Sequence, residues 1–97
     1  MKVYTGSSNV SPFEHLVETP QQVVTHLVLK AGEVLPNHHV PFSVIVVPIK
    51  GETIFSGENF SEKIYPGKIV EMTPEEVHGL KAVSDSELMV IKSHLQQ

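Results

Sequence analysis

The sequence predicts an all-β fold, a single barrel or sandwich of short antiparallel strands. Three observations predict it. Glycine and proline punctuate the chain at short intervals, from Gly6 and Pro12 through Pro36, Pro41, Pro48 and Gly51 to Pro74 and Gly79, leaving few gaps long enough for a helix. The gaps hold β-branched and aromatic runs rather than helix formers. Turn-forming residues recur at the spacing of a barrel or sandwich, so roughly six to ten strands with almost no helix are expected.

Taken in order, residues 1 to 10 are polar around Val3 and Tyr4 and read as an extended arm, suited to joining a partner's sheet. Ser11-Pro12-Phe13-Glu14-His15-Leu16 is the one plausible helical turn, with Ser11 as cap and Pro12 at the first helical position. Strands follow at Val23–Leu29, Val44–Val47, Thr53–Phe55, Phe60–Tyr65, Ile69–Met72 and Leu88–Ile91. Ser56-Gly57-Glu58-Asn59 reads as a hairpin turn. Tyr65-Pro66-Gly67-Lys68 places proline and glycine at the centre of a type II turn. Ser84-Asp85-Ser86 is a polar turn before the last strand, and Gln96 and Gln97 read as a frayed end. The unbroken apolar run Val44-Ile45-Val46-Val47 suits a strand covered on both faces, between two sheets or under a partner, and a homodimer is expected.

Composition narrows the function. A chain of 97 residues is one domain, with its core expected at about residues 20 to 95. Cysteine is absent, which removes disulfides and thiolate metal sites. Net charge is −4 and all seven cations are lysines, scattered from Lys2 to Lys92. No clustered positive surface for nucleic acid is present, and no guanidinium fork for a phosphate or carboxylate. The N-terminus lacks the apolar core of a signal peptide, and the longest apolar run is too short to span a bilayer, so a soluble, cytoplasmic protein without membrane partners is expected. The serines show no nucleophile elbow, and no glycine-rich phosphate loop exists.

Two segments carry candidate chemistry. Gly32 to Gly51 reads G-E-V-L-P-N-H-H-V-P-F-S-V-I-V-V-P-I-K-G, and Pro66 to His78 reads P-G-K-I-V-E-M-T-P-E-E-V-H. Their pattern resembles the two motifs of the cupins, of the small single-domain type. The first cupin motif runs G-x5-H-x-H-x3-4-E-x6-G, and here Gly32, His38 and Gly51 fall in register. The second maps from Gly67 through Thr73-Pro74-Glu75 to His78, with Ala82 in place of the closing asparagine. The resemblance spans about residues 20 to 95 and implies a cupin β-barrel, also described as a double-stranded β-helix or jelly-roll.

The departures fall on the metal ligands. Cupins that bind a metal use two histidines and a glutamate from the first motif and a histidine from the second. This chain keeps His38 and His78, while Val40 and Val44 occupy the other two places. Strand alternation then puts His38, Val40, Val44, Val46 and His78 on the lining of the pocket. His39 should point away from the barrel by strand alternation, unless a bulge re-aims it. His26, or Glu71, is the candidate for a third ligand if a divalent zinc, iron, manganese or nickel ion is bound. Otherwise His15, His26 and His94 read as structural or surface residues.

Two function classes follow. The first is a binding module for a small organic ligand, oriented by His38 and His78 in an apolar pocket with weak or absent metal binding. The alternative is a metal-dependent enzyme of the dioxygenase, isomerase or decarboxylase type, using His38, His78 and a third ligand. No catalytic residue is assigned.

Overall fold

β-branched runs separated by tight turns fold here as two antiparallel sheets facing each other. The computed structural model of the chain describes residues 1–10 and 12–94. Its strands are β1 (Phe13–Glu18), β2 (Gln22–Leu29), β3 (Val34–His38), β4 (Ser43–Lys50), β5 (Thr53–Gly57), β6 (Phe60–Ile64), β7 (Val70–Met72), β8 (His78–Ala82) and β9 (Ser86–Ser93). One sheet has the order β1-β2-β9-β4-β7, the other β3-β8-β5-β6. No helix occurs among the described residues, so none there is long and apolar enough to cross a membrane.

The core lies between the sheets and follows strand alternation. Leu27 and Leu29 of β2, Val44 and Val46 of β4 and Leu88 of β9 face Phe55, Ile64, Leu80 and Ala82 of the other sheet. Leu88 sits at the centre of β9, between β2 and β4, and is 0% exposed. β4 is covered on one face only: Val44 and Val46 are buried, whereas Ile45 and Val47 turn outward and are half-buried. Pro48 is tolerated within β4 because β7 pairs only with Val44–Val46 and a bulge follows Pro48.

The expected helical turn at residues 11–16 is corrected. Phe13–Glu18 is a strand, paired with β2 from Phe13↔Leu27 to Glu18↔Val23 across a bulge between His15 and Val17. Ladder pairing with a long neighbouring strand overrides the local proline signal. The proposed cap at Ser11 lies outside the described residues, as does the frayed end at Gln96 and Gln97. The sequence predicts a strand through His38 and His39, but Pro36, Asn37 and Gly79 mask the bounds of β3 and β8.

The turns follow their residues. Glu58 and Asn59 join β5 to β6 as a two-residue hairpin. At the next turn the Lys68 N–H donates to the Tyr65 carbonyl (3.0 Å), and Gly67 takes φ of +108°, as a type II turn requires. The N-terminal arm lies partly on its own sheet. Gly6 packs over His26 and Ser7 and Ser8 bond to β1 and β9, while Val3 and Tyr4 stay exposed.

Replacing Leu88 with alanine leaves a cavity where both sheets meet. It is expected to lower unfolding stability by about 3 kcal/mol, read as a reduced urea midpoint with an unchanged slope.

Candidate functional site

β3 and β8 bring the two motif histidines face to face. Leu35 pairs with Leu80 and His38 with His78, so three steps along β3 match two along β8. This extra residue is a bulge at Pro36–Asn37. In a regular strand Leu35 and His38 would face opposite sides, yet both line the same cavity. Gly79 makes room for the bulge, since a side chain there would collide with the Asn37 amide oxygen and crowd the Leu35 carbonyl.

The imidazole centroids of His38 and His78 are 4.2 Å apart with planes tilted by 58°. Phe55 lies parallel to the His78 ring at 5.9 Å. The Nδ1–H of His38 donates to the Pro36 carbonyl and that of His78 to the Glu76 carbonyl, each at 3.1 Å. A carbonyl only accepts, so each neutral ring carries its proton on Nδ1 and keeps a lone pair on Nε2. Burial pushes the His78 pKa below its ordinary 6.5, and the neighbouring His38 ring adds to this. His78 is therefore neutral at physiological pH.

The loop after β7 holds His78 in place. The Glu75 N–H donates to the Val40 carbonyl (2.8 Å) at the left-handed φ of +71°. The Thr73 hydroxyl (2.6 Å) and amide (3.0 Å) donate to the Glu76 carboxylate, which they hold below the usual carboxylate range. These contacts fix the Glu76 carbonyl beside His78 Nδ1.

Between the sheets lies a cavity of about 520 Å³. His38, Val40, Val44, Val46 and His78 all line it. Residues that the sequence did not single out line it too: Phe55 and Met72, His15 hydrogen-bonded to Thr25 (2.8 Å), and Lys92. Phe55 was within reach, because it alternates inward with the predicted core strand. Lys92 was not, because Leu88 to Ile91 are apolar on both faces.

The remaining histidines lie elsewhere. His39 is 59% exposed at its side chain and pairs with Glu75 at 3.1 Å. His26 does not join the pair. It lies on the outer face of β2, with both ring nitrogens 2.8 Å from carboxylates of Glu14 and Glu87. Glu71 is exposed and pairs with the outward-facing Ile45.

No family model and no curated protein matches the chain. Solved structures do. An RmlC-like cupin family protein with a double-stranded β-helix fold from Methanocaldococcus jannaschii superposes with a TM-score of 0.81 at 26% identity, over 96% of this chain and 90% of the other. The chain has the cupin fold. An RmlC-like cupin from Desulfovibrio desulfuricans gives a TM-score of 0.82 at 22% identity, over 96% of each chain. KdgF from a Halomonas species gives 0.81 at 19% identity, over 87% of this chain and 80% of the other.

Whether this cupin barrel suits a resident metal is a matter of donors. Two imidazoles face the cavity, and valines stand where metal-binding cupins place a histidine and a glutamate. Among the described residues no group of three or more histidine, aspartate or glutamate side chains is arranged to hold a metal ion. Lys92 adds positive charge to the same wall. A divalent ion here would lack a third protein donor and any anionic partner, so the set does not fit a resident divalent metal.

In an NMR titration the His78 ring is expected to protonate below 6.5, and its midpoint to rise in His38→Ala, which removes the neighbouring ring and admits water. A His78 midpoint at or above 6.5 in the parent protein would contradict its burial.

Proposed function

We propose that the protein is a metal-independent binding module for a small organic molecule with an apolar body and one hydroxyl or enol donor. The observation supporting this reading is the pair of Nδ1–H groups tied to the Pro36 and Glu76 carbonyls. With Nδ1 so occupied, Nε2 of the buried, neutral His78 is an acceptor that the ligand's one proton donor satisfies, while the exposed His38 ring stays open to water. Valine, leucine and methionine walls, with the Phe55 ring on His78, suit a flat or branched hydrocarbon body. No reaction class is assigned, since a pair of histidines without a resident ion supports orientation before chemistry.

The test uses p-cresol and p-xylene, which share a shape and differ by a hydroxyl. In a titration followed by amide and ring NMR shifts, p-cresol should perturb Val44, Val46, His38 and His78. It should bind about tenfold more tightly than p-xylene, the worth of one hydrogen bond in a dry site. His78→Phe should erase that preference. Purified protein should contain no stoichiometric divalent metal, and a chelator should leave p-cresol binding unchanged. Equal binding of the two probes, or stoichiometric metal lost together with binding, would overturn the reading; the latter result would favour the metal-dependent enzyme.

We also propose a homodimer that covers the outer face of β2, β9 and β4. There Val24, Ile91, Ile45 and Val47 form a half-buried apolar stripe in register across three strands. Light scattering should give twice the chain mass, and Ile45→Lys should halve it; one chain's mass in the parent protein at micromolar concentration would count against the pairing.

A further inference from the structure

The outer face of the five-stranded sheet carries a buried ionic cluster that the binding reading leaves unused. His26 is 1% exposed. Its Nδ1 lies 2.8 Å from Glu14 Oε2 and its Nε2 lies 2.8 Å from Glu87 Oε1. Ionised carboxylates only accept, so a ring flanked by one on each side needs a proton on both nitrogens. The same carboxylates hold the N-terminal arm. The Ser7 N–H donates to Glu14 Oε2 (2.7 Å), and the Ser8 hydroxyl donates to Glu87 Oε2 (2.9 Å). Gly6 lies so close to the His26 ring that no side chain fits between them.

The cluster also grips one wall of the cavity. Along β1, Phe13 and His15 line the cavity while Glu14, between them, turns to His26 on the opposite face. β1 is an edge strand that pairs only with β2. Holding Glu14 therefore holds the strand whose other face closes that side. The charged groups facing His26 are Glu14 and Glu87, and Lys50 of β4 reaches the second of these, with its Nζ 3.9 Å from Glu87 Oε2. Ser7 and Ser8 of the arm complete the shell.

We propose that Glu14, His26 and Glu87 form a proton-operated clasp that straps the arm over the sheet and fixes β1 against the side of the cavity, and that loss of the His26 proton frees the arm and loosens that side. Neutral His26 leaves a lone pair facing a carboxylate, which is repulsive in a dry site. Burial alone depresses the His26 pKa, but the hydrogen bonds that its ring donates to Glu14 and Glu87 outweigh it and raise the value above 6.5. His26 holds Glu14 below its usual range, with help from the Ser7 amide. The Ser8 hydroxyl, followed by His26, does the same for Glu87. A raised histidine stabilises fully below 6.5 and loses its contribution as pH climbs through the folded value. The lowered carboxylates contribute above 4.5 and lose theirs as pH falls through their folded values. The clasp is closed between these limits and opens on the alkaline side.

The effect on ligand entry rests on the cavity being the binding site, whereas the release of the arm is read without any ligand. Protection of the Ser7 amide and backbone order of residues 1–10 are measured by NMR across the pH range in parent protein, His26→Gln and Gly6→Ala. The parent should lose about tenfold in Ser7 protection, the worth of one charge-assisted bond, in a transition centred above 6.5. Gly6→Ala, a change in the arm whose methyl group collides with the His26 ring, should show a free arm at every pH over a folded barrel, and so should His26→Gln if it folds. Flat protection in the parent, or an arm still held in Gly6→Ala, overturns the clasp. The association rate of p-cresol should rise with arm release. Release without a change in that rate overturns the link to the cavity and leaves the clasp standing.

Discussion

One extra residue in β3 governs the chemistry of the cavity. Had β3 run regularly from Leu35, His39 and not His38 would share its inward face. The bulge at Pro36–Asn37 reverses that choice and sets His38 opposite His78. It also fills the space beside β8, so position 79 has no room for a side chain. The close approach of the two rings and the retention of the Nδ1 proton on His38 by the carbonyl of bulge residue Pro36 both depend on it.

Much of the fold was legible because most strands carry their own signal. Val23 to Leu29, Val44 to Val47 and Leu88 to Ile91 are runs that only a sheet buries well, and the turns at Glu58-Asn59 and Pro66-Gly67 have matching chemistry. Where local and long-range signals disagreed, the long-range ones won. Pro12 suggested a helical start, but Phe13 and His15 face the cavity while Glu14 faces out, an alternation obscured after His15 by a bulge. β3 contains Pro36 and Asn37, and β8 contains Gly79. None of these favours a strand, and the two strands form because β8 pairs with β5 on one side and β3 pairs with β8 on the other.

The candidate site was legible in part. His38 and His78 were found through spacing shared with a family, and the wall residues Val40, Val44 and Val46 followed from them. Lys92 could not be placed, because a strand apolar on both sides carries no label for its inner face, and His15 could not because its segment reads as a helical turn. His26 shows the limit most clearly. Its partners Glu14 and Glu87 lie 12 and 61 residues away in sequence, so nothing near His26 announces an ionic cluster. A buried histidine with a carboxylate on each nitrogen resembles a ligand in composition and differs from one in having no free lone pair.

Val40 and Val44 have a consequence for the chemistry open to this barrel. Both stand in the cavity wall with the two histidines. Their side chains carry no lone pair, so at these two places the wall can shape what enters the barrel and cannot bond to it. Any change of these residues to polar ones would alter the chemistry of the cavity while leaving the core strands their other apolar residues.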